Sequence, residues 1–464
     1  MGKEILRNLP KVDIILNNEI ITSCGSELSG EMKKEVVQGY LGELRDAALK
    51  GEICEIPSKE EIVLELKKRI SAADSYSLKR VINATGVVLH TNLGRAPLGR
   101  EMTEHIVTEL TGYNTLEYDL DKAARGSRYT HVEKLLCDIT GAEAAMVVNN
   151  NAAAVFLVLN TLAQKKNVAI SRGELVEIGG AFRVPEIMER SWADLLEIGT
   201  TNKTHLFDYE RAIDENNAEI ILKVHNSNFK VIGFTEEVDI NELCELGKNR
   251  GVKVIFDLGA AFMTDSFLPG ALKGQVPSVK SCVDAGCDIV CFSGDKIFGS
   301  TQAGIILGNK SDIEKVKKNP FTRMFRTDKL DLCVLEKTLR YYKDYPVAIK
   351  KIPALNMLFA KDDELKKKAE FILSEVQKDI REKVDIKIVN TEDEPGGGSM
   401  PGVYLPGYAL EIRAEDLSAD EIEEKLRKNA VPIISRIYNG GVLISVRTLM
   451  PEDEYEIVEA ITGL

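Results

Sequence analysis

The chain has 464 residues, 44% hydrophobic and 29% charged, with a formal net charge of −13. That length sets a prior of two or three domains, one of them large. No apolar run approaches the roughly 18 residues of a membrane span, and the acidic balance argues against general attraction to nucleic acid, leaving room only for a local site.

The opening "MGKEILRNLPKVDIIL" lacks a basic patch followed by an unbroken apolar core and cleavage site, so a cytoplasmic protein is expected. The eight cysteines fit that reading, being scattered without a CxxC pair. Cys282, Cys287 and Cys291 come close together but match no common zinc spacing, so they are read as buried small hydrophobes and no metal is expected. Residues 1–80 carry 13 Lys+Arg against 14 Asp+Glu, which makes this segment nearly neutral while the rest of the chain is strongly acidic. Within it, "SGEMKKEVVQGYLGELRDAALKGE" places apolar residues at 3–4 spacing behind a candidate cap at Ser29. In "SKEEIVLELKKRISAAD", Ser58 and Glu61 form a capping-box signature. A small helical N-terminal domain over residues 1–78 is expected.

Beyond it, short β-branched runs alternate with amphipathic stretches: "AAMVVNN", "NVAIS", "EIILKVH", "VKVIFDL", "DIVCFSG" and "AGIILG". The alternation predicts an α/β domain over residues 79–350 with a mostly parallel sheet, whose ligands sit at the carboxyl ends of the strands. Residues 351–464 read as an α+β C-terminal domain: a helix at "KDDELKKKAEFILSEVQKDIRE", a strand at "VDIKIVN", then the loop "EDEPGGGSMPG". The GGG run precedes no clear helix start, so it is taken as a flexible connection or hairpin turn rather than a phosphate cradle.

Four strand ends carry polar residues. Asn149, Asn150 and Asn151 lead into a helix that begins with small residues, a candidate anion site, although Asn is also a common helix cap. His225 ends the run "IILKVH", and Asp257 ends "VKVIFD", where a buried carboxylate needs a partner such as a protonated ring nitrogen. Lys296 follows "DIVCF", with Ser293 three residues before it and Asp295 beside it. Burial there lowers the lysine pKa and frees the amine. An anion site, a strand-end carboxylate and a strand-end lysine, in that order, are the protein's half of pyridoxal phosphate chemistry.

The chain resembles, nearly end to end, the bacterial selenocysteine synthases, the L-seryl-tRNA(Sec) selenium transferases of fold type I among pyridoxal phosphate enzymes. The resemblance rests on "LPKVD", "VINATGVVLHTNLGRAPL", "ARGSRYTHVE", "VVNNNAAAV", "SRGELVEIGGAFRVPEIM", "EIGTTNKTHLFDYE", "KVHNSNFKVIGFT", "FDLGA", "FSGDKIFGSTQAGII", "NPFTRMFRTDKL" and "PGGGSMPG". It implies that Lys296 holds pyridoxal 5'-phosphate as an internal aldimine and that Asp257 pairs with the pyridine nitrogen; Asn149, Asn150, Asn151, Ser293 and His225 complete the candidate cofactor contacts. Arg95, Arg323 and Arg326 match arginines that bind the anionic selenium donor, and with Asp295 they complete the candidate catalytic set. Arg125, Arg128 and His131 are either site or dimer-interface residues. Phe298 and Ser300 depart from the family's smaller or aliphatic residue and glycine.

The implied reaction converts seryl-tRNA(Sec) to selenocysteinyl-tRNA(Sec) with selenophosphate through a dehydroalanyl-tRNA. The resemblance also implies a homo-oligomeric ring of dimers, a decamer, with the N-terminal domain gripping the tRNA. Lys33, Lys34, Lys67, Lys68 and Arg69 are candidate phosphate contacts. The main rival is a pyridoxal phosphate lyase acting on a small amino acid or amino sugar acid, against which "LPKVD" and the Arg323/Arg326 pair speak. A second is a non-catalytic tRNA-binding protein, against which the retained Lys296 and Asp257 speak. A P-loop is excluded because Asn309 stands before the lysine of "GIILGNKS" where glycine is needed.

Overall fold

In the computed structural model, residues 5–180 and 182–464 are described. The chain divides into two compact units, Met1–Arg80 and Val81–Leu464. Among the described residues no helix is long and apolar enough to cross a membrane, and no group of three or more His, Cys, Asp or Glu side chains is arranged to hold a metal ion.

The first unit is helical. Its two long helices are α1 (Gly30–Lys50) and α2 (Lys59–Asp74). Ser29 caps α1 by accepting from the Met32 N–H, and Ser58 and Glu61 close a reciprocal capping box on α2, each cap satisfying backbone donors that a helix start leaves open. The apolar faces meet in a core of Ile15, Ile21, Val37, Leu41, Ile62, Leu66 and Ile70. Arg69 is engaged inside this unit by Glu43 and Glu65 and lies over the Tyr40 ring, whereas Lys34, Lys67 and Lys68 are exposed.

The second unit is built on a seven-stranded sheet. Its strands are β1 (Ala144–Val148), β2 (Asn167–Ser171), β3 (Asp194–Ile198), β4 (Ile220–Val224), β5 (Lys253–Gly259), β6 (Ile289–Ser293) and β7 (Gly304–Gly308), in the order β1-β7-β6-β5-β4-β2-β3. Every pairing is parallel except those of β7, which is antiparallel to both β1 and β6. Helices cover both faces, which explains why β1, β4, β6 and β7 are buried throughout and read as unbroken apolar runs. Alternation sorts side chains between the two layers: Val254, Phe256 and Leu258 enter one core, while Ile255 enters the other, beside helix α3 (Asn151–Leu162). Asp257 therefore falls on the α3 side.

β3 escaped the sequence reading. It is an edge strand with only Ile198 buried, so its sequence DLLEI carries neither an apolar run nor alternation.

The C-terminal portion carries a four-stranded antiparallel sheet, β8 (Val384–Asp393), β9 (Leu405–Ala414), β10 (Arg436–Tyr438) and β11 (Gly441–Ser445), ordered β8-β9-β11-β10. Helices α4 (Asp362–Val376), α5 (Ala419–Arg427) and α6 (Asp453–Thr462) share its core. Ile82 and Ala84 also pack there, and the short strand Ile82–Asn83 pairs in parallel with Ile433–Ile434. The start of the second unit thus joins its end.

Candidate active site

The carboxyl ends of β1, β4, β5 and β6 lie on one side of the sheet, and four sequence motifs arrive there together. Asn150 ends its extended approach by capping α3, its side-chain oxygen accepting from the Ala153 N–H at 2.8 Å. Asn149 is held through its backbone, donating to the Phe325 carbonyl at 2.9 Å. Its side chain is exposed at the open N-terminus of α3, where the helix dipole favours an anion. Asn151 turns inward and donates through Nδ2 to Asp257 Oδ1 at 2.8 Å.

Asp257 is 2% exposed. A second donor, the Gly259 N–H, also falls on Oδ1, at 3.0 Å, and no hydrogen bond among the described residues engages Oδ2. Burial pushes the carboxyl pKa up, the two hydrogen bonds only partly opposing it. The register between β5 and β6 shifts between Asp257 and Gly259, a local irregularity of the kind that re-aims side chains beside sites.

Lys296 stands in the tight connection between β6 and β7, where the Gly299 N–H donates to its carbonyl. It is 5% exposed. Burial, with Arg95 adding repulsion, holds its ammonium pKa below the ordinary lysine value, so the amine is easier to free. Ser293 is buried at the end of β6. Asp295 is bound to Arg95 Nη1 at 2.8 Å, and the Asp295 carbonyl accepts from the Ala96 N–H, so the segment carrying Arg95 is fastened beside the lysine.

His225 follows β4 and its N–H donates to the Asp257 carbonyl at 2.9 Å. Burial holds its ring pKa down, favouring the neutral imidazole. Two residues outside the candidate site set fix this turn. Glu174 reaches across from the end of β2, receiving the Val224 N–H at 2.9 Å and pairing with Lys223 at 3.3 Å, and Asn226 donates to the Gly173 carbonyl at 3.1 Å. Glu174 belongs to the "SRGEL" motif, where it follows Arg172 and Gly173, and nothing in that local spacing ties it to β4.

The arginines have different partners. Arg326 approaches Glu117 at 3.5 Å, and the same carboxylate binds Arg128 and Arg125. Arg128 is buried and also donates to the Thr327 carbonyl, while His131 lies 3.2 Å from the Leu116 carbonyl. Arg323 is exposed on the short helix Phe321–Met324 and pairs with no carboxylate among the described residues. Within this chain, then, Arg95 pairs with Asp295 beside Lys296, while Arg326 shares Glu117 with Arg125 and Arg128 and is bridged through its backbone to Val148 at the end of β1. Phe298 and Ser300 pack behind the site: Phe298 stacks on Tyr342 with ring centroids 5.0 Å apart, and Ser300 shares a hydrogen bond with Thr338 at 2.8 Å.

The "PGGGSMPG" run is the connection of the β8–β9 hairpin, but it is pinned rather than flexible. Val88 and Leu89 N–H groups donate to the Glu394 and Pro395 carbonyls, each at 2.9 Å. The pinning carries Gly398 to Lys296.

Pyridoxal phosphate fits this donor set. His225 Nε2, Asn151 Oδ1 and Asn226 Oδ1 are buried without hydrogen-bond partners among the described residues. Each such group costs about 1–3 kcal/mol unless something polar reaches it. The free Oδ2 of Asp257 suits a protonated ring nitrogen, the α3 N-terminus suits a phosphate, and the buried Lys296 amine suits the cofactor aldehyde.

Comparison with known proteins agrees with this geometry. Among solved structures, D-glucosaminate-6-phosphate ammonia-lyase matches with a TM-score of 0.54 at 20% identity, covering 83% of this chain and 95% of that one, a likeness of fold. The chain is 46% identical over 457 residues to the L-seryl-tRNA(Sec) selenium transferase of Clostridium botulinum (strain Loch Maree), covering 98% of both chains. It is 45% identical over 461 residues to the enzyme of that name from Clostridium perfringens (strain 13), covering 99% of this chain and 98% of the other. The family model for L-seryl-tRNA selenium transferase matches residues 81–450. On full-length similarity of that order, the chain belongs to the L-seryl-tRNA selenium transferase family.

Proposed function

We propose that this chain converts seryl-tRNA(Sec) to selenocysteinyl-tRNA(Sec), taking selenium from selenophosphate and releasing phosphate, with pyridoxal phosphate held at Lys296. The observation that carries the reading is the buried pair of strand ends, Lys296 with a depressed ammonium pKa and Asp257 with an unengaged Oδ2, facing the open N-terminus of α3. Bound there, the cofactor supplies an electron sink for the charge left when the seryl Cα proton departs.

The chain's own residues do the rest. Asn149 and the first N–H groups of α3 receive the phosphate, Asn151 holds Asp257 in place, and Asp257 holds a proton on the ring nitrogen. Lys296, once released, is the base at the seryl Cα, a role favoured by its lowered pKa. Asp295 orients Arg95 beside it. Arg95, Arg323 and Arg326 receive the selenophosphate oxyanion, since a guanidinium stays charged and matches its oxygens. A homo-oligomer, a ring of dimers with sites shared between subunits, goes with this reading. The exposed Lys34, Lys67 and Lys68 of the helical unit are the phosphate contacts for the tRNA, with Lys33 beside them. The protein acts in the cytoplasm.

The test incubates the full chain, loaded with pyridoxal phosphate, with seryl-tRNA(Sec) and selenophosphate carrying labelled selenium. Label on the tRNA is expected from the wild type and none from Lys296→Ala, which still binds the tRNA. Absence of transfer by a loaded wild type, with release of ammonia from free amino acids or amino sugar acids instead, would replace this reading with a lyase.

A further inference from the structure

The triple glycine of the β8–β9 connection has a geometry that the chemistry above does not use. Gly398 has φ +76°, and a Cβ built on it would lie 3.3 Å from Lys296 Nζ and 3.0 Å from Asn228 Oδ1. Gly396 lies so close to the Leu89 backbone that a Cβ there would sit 2.7 Å from the Leu89 carbonyl oxygen. The hydrogen bonds from Val88 and Leu89 fix the strand of chain that leads into it. Beneath the connection lies a cavity of about 160 Å³, walled by Ser227, Asn228, Gly396, Gly398 and Tyr404. Its Ser227 hydroxyl is 1% exposed and has no partner among the described residues.

We propose that Gly398 is a specificity-determining residue: the pinned connection is a ceiling over Lys296, and the side chain missing at Gly398 sets the largest aminoacyl group that can enter this cavity and present its amine to the site. The substrate class this selects is an ester of a small, polar α-amino acid. A seryl group fits the limited volume and brings a hydroxyl to the unpartnered Ser227 Oγ, whereas a branched or aromatic side chain meets the ceiling. The inference rests on the reading of Lys296 as the residue that holds the cofactor.

Gly274 provides the control. It lies outside this connection and does not line the cavity, has nearly the same backbone, φ +72°, and nothing lies within 4 Å of a Cβ built on it. Gly274→Ala therefore carries the same kind of backbone strain as Gly398→Ala without the obstruction. The full chain is loaded with pyridoxal phosphate, and the change in its absorbance is followed after adding methylamine, serine methyl ester or leucine methyl ester; cofactor affinity and thermal midpoint are measured for each variant. The wild type is expected to respond to methylamine and serine methyl ester and much more slowly to leucine methyl ester. Gly398→Ala is expected to slow the serine ester about tenfold or more, as crowding a packed site does, and to slow methylamine much less even though the added Cβ lies 3.3 Å from Lys296 Nζ. Gly274→Ala is expected to match the wild type. Asn228→Ala, which widens the cavity from its other wall, is expected to quicken the leucine ester, a gain that impaired folding cannot produce. Equal slowing of all three amines in Gly398→Ala, or an unchanged serine ester, would overturn the proposal. Failure of the wild type to take up pyridoxal phosphate at Lys296 would overturn the underlying reading as well, and normal uptake with no size dependence would overturn this one alone.

Discussion

Asp257→Asn should separate the cost of a buried charge from its use. The carboxylate is 2% exposed, and its two hydrogen bonds both fall on Oδ1. Burial raises its folded pKa above the ordinary 3.8, so the unliganded fold penalises the charged form. The sign follows: stability contributed at low pH is lost as pH rises from the unfolded value through the raised folded one. Asparagine has nearly the same shape, keeps a carbonyl oxygen for the Gly259 N–H and carries no charge. The unliganded variant should therefore be at least as stable as the wild type at neutral pH and lack that decline. Its grip on the cofactor should weaken, because a protonated ring nitrogen loses its counter-charge. Breaking a buried ion pair costs about 3–5 kcal/mol, roughly two to three and a half orders of magnitude in Kd. Urea unfolding of the unliganded chain and absorbance titration with pyridoxal phosphate measure the two effects. A cofactor Kd within about threefold of the wild type, or an unliganded variant destabilised by more than about 2 kcal/mol, would refute the reasoning.

Lys296→Met should stabilise the unliganded chain at neutral pH, because burial holds the lysine pKa below its ordinary 10.5; the gain should shrink as pH rises through the lowered folded value toward 10.5, as followed by urea melts across pH. Phe298→Ala removes a fully buried ring stacked on Tyr342 and should cost about 3–5 kcal/mol in chemical denaturation, with Phe298→Leu recovering most of it. Arg447→Met takes the nearer cation, at 3.0 Å, from the fully buried Asp393, which keeps Ser445 and the more distant Arg436 at 3.8 Å, and takes a donor from the Met357 carbonyl. It should destabilise by about 3 kcal/mol, the low end for a broken buried pair, and the double variant with Asp393→Leu should regain part of that loss.

The local signals were written in the residues themselves. The capping box at Ser58 and Glu61, the apolar runs of β1, β4, β5, β6 and β7, and the polar residues that end four of them are short-range features, because a cap or a buried strand is satisfied within a few positions. The burial of Lys296 and Asp257 was legible for the same reason: each closes or follows an apolar strand run, where an ionisable group is costly and stands out. What tertiary structure alone decided joins distant parts of the chain. Asn150 spends its side-chain oxygen on the α3 cap while Asn151 turns to Asp257, a division set by the packing of α3 against β5. Edge strand β3 is held by its pairing with β2 rather than by its own composition. Glu117 gathers Arg125, Arg128 and Arg326, which no spacing in sequence would group. The triple glycine read as a turn because glycine frees the backbone wherever it occurs. Only the docking of residues 394–395 on residues 88–89 gives Gly398 its place over Lys296, since the identity of a neighbour a hundred positions away is a property of the folded chain.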